Sequence, residues 1–527
     1  MSTPPSQRPG ALIYLVPLVS IALTALLYSL PFLWQAADLD PAPIGILRMV
    51  GVLSVFTCAG WLVVWFFGFT RISRGTKLGL FLLLLVGCVG FAASVREVVL
   101  DSDLIPSFRF RWQSVAEVAP EEYDQREKID LTIDPVNDFP RYRGAAGDGV
   151  VRPTELLANT WEEVKPREVW RHSCGGGFAG FAVVGNVAVT IEQRGTDEVV
   201  VCYDRATGQQ RWAHIYPAQF KDPTGWGPRA TPTISNGEVF SLGALGDLLC
   251  LDGATGTKKW GVNIVEDNGA TVVNWGMTSS PLVEGDLVIV NAGVDEKNNQ
   301  GRALVAYHRQ TGQRVWGSGR RRAGYSSPFA ATLAGRRQVV LFDAGGLAGY
   351  DVQSGKELWF HPWETFQDQN IIQPLVLDDD RIFLSSEVSN GCAMLRIQRE
   401  KGDFVAEVLW ENRYLASRQA NPVRMGGYIY GLSNGHLVCL DTRSGQRRWR
   451  GRSFGQGQML GVAGMLLIQS EHGELVLVAA NPDSYRELGR MPVFTERRAW
   501  NTPALAGRYL YLRTDTEMVC LELPLKE

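Results

Sequence analysis

A recurring phrase that ends in tryptophan restricts the fold of this chain more than any other feature. Five copies align on Trp212, Trp260, Trp316, Trp359 and Trp449. Each has glycine four residues before the tryptophan, Thr or Ser just before that glycine, and a Cys, Ala or Gly ten residues before the tryptophan. Four of the copies also carry aspartate at the turn, with His308 as the exception. Asp, Thr and Ser hydrogen-bond turn amides and glycine accepts a positive φ, so we predict a hairpin whose Trp ring covers the small residue across the strand pair.

A second marker, a proline at the start of a short apolar run, precedes each hairpin. The clear copies are Pro232, Pro281, Pro328, Pro374, Pro422 and Pro503, with weaker ones near Phe181 and Gly461. The markers define eight units of about 40–50 residues, and each unit has room for four strands, which is typical of a propeller blade. We predict an all-β, eight-bladed β-propeller over residues 139–527.

The ends of the repeat predict how the ring closes. No tryptophan strand follows Pro503, whereas an unpaired one, "REVW" with Trp170, precedes the first unit. We predict that this strand completes the last blade, because closure removes exposed sheet edges. Two units are irregular: one reaches Trp410 through an enlarged turn, and one has Leu488 or Gly489 where tryptophan is expected.

The first 95 residues have a different composition. Three uncharged apolar segments, at about 11–34, 49–70 and 78–95, each approach the length of about 20 residues that crosses a bilayer as a helix. We predict three transmembrane α-helices before the propeller. The basic residues Arg71, Arg74 and Lys77 place the loop between the second and third helices in the cytoplasm. The protein is then a multi-pass protein of the cytoplasmic (inner) membrane, with its propeller on the periplasmic, extracytoplasmic side.

Two points about this N-terminal part stay open. The first apolar segment could instead be a cleaved signal peptide. Residues 96–138 mix charges with little periodicity, so we treat them as an extracytoplasmic linker and assign no structure to them.

Composition excludes several classes of function. The net charge of −3 provides no basic surface for nucleic acid. The eight cysteines and six histidines are scattered without ligand spacing, so we predict no metal site. The acidic stretch at residues 295–301 also lacks the spacing of a calcium loop, and we interpret it as a hairpin tip. Cysteines at equivalent positions of different blades are too far apart to pair, so we expect free thiols.

The repeated "DxxTGxxxW" unit resembles the PQQ-like (pyrroloquinoline quinone-like) propeller superfamily, and "FPRYRGAAGDGVV" at residues 139–151 resembles the opening segment of its bacterial repeat proteins. The superfamily includes quinoprotein alcohol and glucose dehydrogenases and the BamB scaffold. The dehydrogenases hold PQQ and calcium in the central funnel, and many use a vicinal cysteine pair. This chain has no such pair and no long insertion, and its propeller is closer to BamB in size.

Any ligand site is expected where the blades differ, in the segments that precede the innermost strands and line one mouth of the channel. Arginines and flat aromatic rings there could clamp a planar anion such as PQQ. The cofactor-binding candidates are Arg229, Asn274, Trp275, Arg418, Arg498, Trp500 and Asn501. The simpler alternative is that these side chains only satisfy loop carbonyls. Glu387 could bind calcium or act as a catalytic carboxylate, but is more consistent with a turn residue, so we assign no catalytic residue.

Two functions are compatible with the sequence. The favoured one is a membrane-anchored, non-catalytic PQQ-like propeller that binds protein partners outside the cytoplasm, similar to BamB, with no cofactor. The alternative is a PQQ-dependent alcohol or sugar dehydrogenase that uses PQQ with calcium and passes electrons to the membrane quinone pool.

Overall fold

The computed structural model describes residues 12–36, 44–70, 72–100, 106–112, 129–295, 297, 300–378, 380–387, 390–495 and 498–526. It divides into two compact units, Met1–Ser114 and Val115–Glu527.

The N-terminal unit contains three helices followed by a hairpin. The helices are α1 (Leu12–Ala36), α2 (Ile44–Phe69) and α3 (Arg74–Ser94). α1 and α2 approach closely where Gly51 faces the backbone of Tyr28. Ser73 caps the N-terminus of α3, because its side chain accepts from the Thr76 amide. Lys77 donates from Nζ to the carbonyl oxygens of Phe67 and Thr70, both at 2.8 Å, and so satisfies the free C-terminal carbonyls of α2.

Two of these helices are long and apolar enough to cross a membrane among the residues that the structure describes. They are Val50–Gly68 and Arg74–Ser94, each with a mean hydropathy of 2.1. In α1 the apolar stretch among the described residues is Pro17–Leu30. Two candidate spans are therefore found among the described residues rather than the three predicted. A helix does form in each of the three predicted segments, and the third span stays a prediction.

A β-hairpin follows α3, in a segment for which the sequence predicted no structure. β1 (Val95–Leu100) pairs antiparallel with β2 (Pro106–Phe110). The part of the predicted linker between residues 113 and 128 lies outside the described residues.

The C-terminal unit is an eight-bladed β-propeller, as predicted. Two strands, β3 (Val150–Val151) and β4 (Arg167–Ser173), precede the first blade. Blade 1 contains β5 (Ala182–Val184), β6 (Val187–Arg194), β7 (Asp197–Asp204) and β8 (Gln210–Pro217), and a small pair, β9 (Lys221–Asp222) and β10 (Gly225–Trp226), follows it. Blade 2 contains β11 (Thr233–Ser235), β12 (Glu238–Leu242), β13 (Asp247–Asp252) and β14 (Lys258–Asn263), and is followed by α4 (Ile264–Asn268).

The next three blades keep the antiparallel four-stranded pattern. Blade 3 contains β15 (Leu282–Glu284), β16 (Leu287–Asn291), β19 (Leu304–His308) and β20 (Arg314–Ser318), with a small pair, β17 (Val294–Asp295) and β18 (Gln300–Gly301), inserted. Blade 4 contains β21 (Phe329–Leu333), β22 (Arg336–Asp343), β23 (Gly346–Asp351) and β24 (Glu357–Pro362), and a 3-10 turn at Phe366–Asp368 follows it. Blade 5 contains β25 (Leu375–Val376), β26 (Arg381–Ser386), β27 (Gly391–Glu400) and β28 (Asp403–Asn412).

The last three blades complete the ring. Blade 6 contains β29 (Val423–Met425), β30 (Tyr428–Ser433), β31 (His436–Asp441) and β32 (Arg447–Ser453). Blade 7 contains β33 (Gln458–Val462), β34 (Met465–Gln469), β35 (Glu474–Ala479) and β36 (Glu487–Pro492). Blade 8 contains β37 (Ala504–Ala506), β38 (Tyr509–Arg513) and β39 (Glu517–Glu522), and its fourth strand is β4, as predicted, with Trp170 opposite Cys520.

The tryptophan of one blade packs on the turn glycine of the next blade. A Cβ on Gly256, whose φ is +72°, would lie 2.5 Å from the Trp212 ring, so only glycine fits this turn. The Trp212 Nε1 also donates to the Gly253 carbonyl oxygen at 2.9 Å. Asp252 makes the expected turn, because its Oδ1 accepts from the amide of Thr255 at 3.0 Å. The repeated phrase therefore joins neighbouring blades.

The two irregular blades, 5 and 7, depart from this tryptophan–glycine packing in different ways. Blade 5 has the long hairpin β27–β28 in place of the short turn that carries glycine in blades 1–4 and 6. The tryptophan of the preceding blade, Trp359, therefore donates from Nε1 to Gln338 Oε1 within its own blade, at 2.7 Å. Blade 7 has Gly489 where tryptophan was expected, and Trp161 from the N-terminal segment lies over it, 2.5 Å from the position of a Cβ. A tryptophan from outside the repeat thus fills the vacant place.

Candidate functional site

The residue before four of the marker prolines links neighbouring blades. Side chains of Thr231, Ser280 and Ser327 each accept a hydrogen bond from the backbone N–H of the corresponding residue in the preceding blade, at 2.9 to 3.1 Å. Asn421 does the same for the amide of Gln373 at 2.8 Å. These polar side chains at the channel therefore serve the scaffold.

Residues 139–151, which we call the plug, lie against the innermost strands of the propeller. Phe139 pairs with Val183 of β5, and the Pro140 carbonyl oxygen accepts from Ile234 N in β11 at 2.8 Å. At its other end, β3 pairs in parallel with β33 of blade 7. The plug therefore reaches the innermost strands of blades 1, 2 and 7.

The middle of the plug meets the remaining blades. Gln373 of blade 5 donates to the Gly147 carbonyl oxygen at 2.7 Å, and Tyr142 accepts from Asn421 Nδ2 of blade 6 at 2.5 Å. Blade 8 is reached through Phe139, which shares a buried core with Leu505. Between the plug and blades 3 and 4 a cavity of about 40 Å³ remains, far below the roughly 300–1,000 Å³ of typical ligand pockets.

Arg143 anchors the plug in the interior. Its side chain is buried, and Nη2 donates to the carbonyl oxygens of Asp148 at 2.7 Å and Pro422 at 2.9 Å. Burial lowers the pKa of Arg143 and raises that of Tyr142, because the charged form of each group loses hydration.

Three of the predicted site residues come together at the channel mouth around Phe178. We call Phe178, Arg229, Arg498 and Trp500 the mouth cluster. The guanidinium carbons of Arg229 and Arg498 lie 5.3 and 5.8 Å from the centre of the Phe178 ring, and the Trp500 ring lies 5.2 Å from it. Cations stacked on aromatic faces are the arrangement expected of a clamp for a flat ligand.

Carboxylates of the chain itself already pair with both arginines. Arg229 forms an ion pair with Asp222, and Arg498 Nη2 contacts Asp515 Oδ2 at 2.6 Å. Burial lowers the pKa of Arg229, with the Asp222 carboxylate opposing that shift. Trp500 Nε1 donates to Glu471 at 3.0 Å. Paired in this way, the arginines offer little uncompensated charge to an anion.

The other predicted site residues occupy separate positions. Asn274 is exposed, and Trp275 packs edge-on against Tyr325 with ring centres 5.3 Å apart. Asn501 is buried and donates to the Ala179 carbonyl oxygen at 2.8 Å, which is a scaffold role. Arg418 forms an ion pair with Glu387 at 3.1 Å.

These residues do not supply the converging carboxylates that calcium-bound PQQ would use. Within the described part of the chain, no three His, Cys, Asp or Glu side chains lie close enough to hold a metal ion. Glu387, the candidate calcium ligand, pairs with Arg418. All eight cysteines are free thiols, and burial raises the pKa of Cys250 and Cys439 to about 12, which keeps them protonated at neutral pH.

The eight blades, seven four-stranded and one extended to five strands by β3, define a PQQ-like β-propeller together with the closing strand and the stacked tryptophans. The sequence family described as "Outer membrane protein assembly factor BamB", a PQQ-like family, matches residues 165–263 and 196–451. These overlapping matches cover more than half of the chain, so the chain belongs to this family.

Individual relatives agree with this assignment. The outer membrane protein assembly factor BamB of Burkholderia pseudomallei (strain K96243) is 25% identical over 323 residues, covering 58% of this chain and 76% of the relative. The crystal structure of BamB from Moraxella catarrhalis superposes with a TM-score of 0.50 at 15% identity, covering 68% of this chain and 100% of that one.

A dehydrogenase shares the fold to the same degree. The quinohemoprotein alcohol dehydrogenase ADHIIG from Pseudomonas putida HK5 superposes with a TM-score of 0.50 at 14% identity, covering 75% of this chain and 83% of that one. At these identities the two structural likenesses establish the fold alone. The residues of the channel must decide between the functions.

Several residues that complete the site could not be identified from the sequence pattern. Phe178 is the centre of the mouth cluster, and Asp222 and Asp515 are the partners of the arginines. These residues lie in or next to irregular loops, where no periodic pattern marks them. The plug is recognisable in the sequence as an opening segment, but its path through the channel depends on long-range contacts.

Proposed function

We propose that this protein is a membrane-anchored, non-catalytic propeller that serves as a protein-interaction or assembly platform outside the cytoplasm, without a cofactor. The observation that carries the proposal is the plug. Its own backbone and side chains hydrogen-bond the innermost strands and their preceding loops around the channel. The superfamily resemblance implies that the dehydrogenases use this central channel for PQQ. The similarity to proteins named outer membrane protein assembly factor also supports the proposed role as an assembly platform.

The loops at the channel mouth are the surface that we propose for the partner. Phe366 lies in the loop before blade 5 and its side chain is 66% exposed. Trp275, in the loop before blade 3, is partly exposed, and Asn274 beside it is exposed. Aromatic residues and arginine are enriched in protein–protein interfaces and carry much of their binding energy.

Site-specific crosslinking in cells tests the proposed face. A photoactivatable phenylalanine analogue would replace Phe366 or Trp275 in the full chain, and Leu156, an exposed residue outside the mouth loops, would serve as the control position. We expect the same protein adduct from both mouth positions and its absence from the control position. Adducts from Leu156 alone, or none from either mouth position, would contradict the proposal.

One observation favours the alternative function. The mouth cluster stacks two arginines and a tryptophan around a phenylalanine, which is a geometry suited to a flat anion. A PQQ-dependent dehydrogenase would have to release these arginines from Asp222 and Asp515 before they could bind it. A titration with PQQ and calcium distinguishes the two functions directly.

A further inference from the structure

The hairpin β1–β2 is fixed to the C-terminal end of α3. The ring of Phe91, in the last turn of α3, meets the rings of Phe108 and Phe110 edge-on at 5.2 and 6.0 Å. Arg111 N donates to the Ser94 carbonyl oxygen at 2.9 Å. No loop separates α3 from β1, because Val95 both caps the helix and begins the strand. The hairpin therefore begins where the candidate span ends.

The two strands give the hairpin an apolar face and a polar face. Val98 and Phe108 are directly paired across the strands, and their side chains are 52% and 41% exposed. The neighbouring pair, Glu97 and Arg109, points to the opposite side and forms an ion pair at 3.6 Å. Trp112 stacks on Phe110 with ring centres 4.5 Å apart and is 70% exposed.

This composition is that of a membrane interface. Tryptophan and other aromatic residues at the end of a spanning helix occupy the headgroup level, and arginines beside them contact anionic phosphates. Arg96 and Arg111 are both exposed in the same hairpin. Exposed Val, Phe and Trp side chains next to a span are stabilised when acyl chains cover them.

We propose that residues 95–100 and 106–112, the described strands of the hairpin and the two residues after them, bind the lipid headgroup layer at the C-terminal end of α3 as an interfacial hairpin. The apolar face formed by Val98, Phe108 and Trp112 inserts among the acyl chains, and Arg96 and Arg111 contact anionic phospholipid headgroups. This inference rests on the proposed membrane anchoring. It adds a lipid-binding surface that holds the start of the linker at the membrane.

Photocrosslinking of the full chain in vesicles tests the proposal. The protein would carry p-benzoyl-phenylalanine in place of Phe108, Leu83 or Phe366, in mixed phosphatidylcholine–phosphatidylglycerol vesicles. Leu83 is 74% exposed on α3, and Phe366 is a matched exposed aromatic of the propeller. We expect lipid adducts by mass spectrometry from positions 83 and 108, and none from position 366.

Positions 83, 108 and 366 distinguish failure of the interfacial-hairpin proposal from failure of the proposed membrane anchoring. Lipid adducts at position 83 without adducts at position 108 would overturn the interfacial hairpin while leaving the anchor intact. An adduct from position 108 to a second protein chain instead of lipid would also overturn it. No lipid adduct at position 83 would overturn the membrane anchoring itself, and the hairpin proposal with it.

Charge provides a second readout. We expect the double variant Arg96→Gln/Arg111→Gln to lose several-fold in lipid-adduct yield at position 108 in the mixed vesicles, while position 83 is unchanged. Pure phosphatidylcholine vesicles should lower the wild-type yield at position 108 in the same way. Equal yields in all these conditions would contradict the role of the arginines.

Discussion

At the scale of single residues, the recurring phrase is explained by one contact between a tryptophan and a small side chain. Cys250 is fully buried opposite Trp260, and the equivalent positions hold Ala306 opposite Trp316 and Gly349 opposite Trp359. A Cβ on Gly349 would collide with the Trp359 ring. Size, and not thiol chemistry, is therefore the property that these positions require.

Substitutions at Cys250 test this requirement. Cys250→Ala should change stability little, because alanine already occupies the same place in blade 3. Cys250→Leu should destabilise the protein by about 1–3 kcal/mol, since extra methylenes in a packed core force side chains out of their rotamers. Thermal unfolding of the full chain in detergent measures both. Equal midpoints for the two variants would contradict this explanation.

Glu198 predicts a pH dependence of stability. Its buried carboxylate accepts hydrogen bonds from Tyr216 Oη at 2.7 Å and Ala244 N at 3.0 Å, and burial raises its pKa from 4.5 to about 7. Between these two values the folded state keeps a proton that the unfolded state releases. Stability from this group is thus lost as the pH rises from about 4.5 to 7, by on the order of 3 kcal/mol.

Glu198→Gln should remove this dependence, because the neutral amide keeps the shape of the side chain. We expect the variant to unfold at a higher temperature than wild type at pH 8, and the difference to shrink towards pH 5. Thermal midpoints measured across this range provide the test. Curves that run parallel for the two proteins would show that Glu198 does not titrate in the folded state near neutrality.

At the scale of elements, the plug is a part of the propeller core. Phe139 is buried in the core that joins blades 1, 7 and 8, and Gly144 packs against its ring. The plug therefore stabilises the ring from inside, while β4 closes it from outside.

Truncation of Phe139 tests this role. Phe139→Ala should destabilise the full chain by about 3–5 kcal/mol, the usual cost of removing a buried phenylalanine ring. Val136→Ala is the matched control, because Val136 is an exposed apolar residue just before the plug. Thermal unfolding should separate the two variants clearly. A Phe139→Ala protein as stable as Val136→Ala would mean that the plug is not anchored in the channel.

The strands and their closure could be predicted from the sequence, whereas the plug could not. The Asp, Gly and Trp positions repeat with a fixed spacing, so each copy supports the others. The plug occurs once, and its bonds reach far along the chain, as in the contact between Arg143 and Pro422, 279 residues apart. Trp161 was missed for the same reason, since it replaces a repeat residue from outside the repeat.

At the scale of the whole molecule, the fold is shared by assembly factors and dehydrogenases, so the channel decides the function. The mouth residues are polar and aromatic in the sequence, but the sequence did not reveal that Asp222 and Asp515 pair with the arginines. The plug and these ion pairs together favour the function of an interaction platform rather than that of a dehydrogenase.

A titration with PQQ and calcium tests the central claim most directly. Purified full-length protein in detergent would be titrated with PQQ in the presence of Ca²⁺, with binding followed by tryptophan fluorescence and turnover followed by dye reduction over alcohols and sugars. Because the plug packs against the innermost strands of the channel and the mouth arginines are paired, we predict no saturable binding and no dye reduction. Saturable binding accompanied by turnover of an alcohol or sugar would contradict the proposed function.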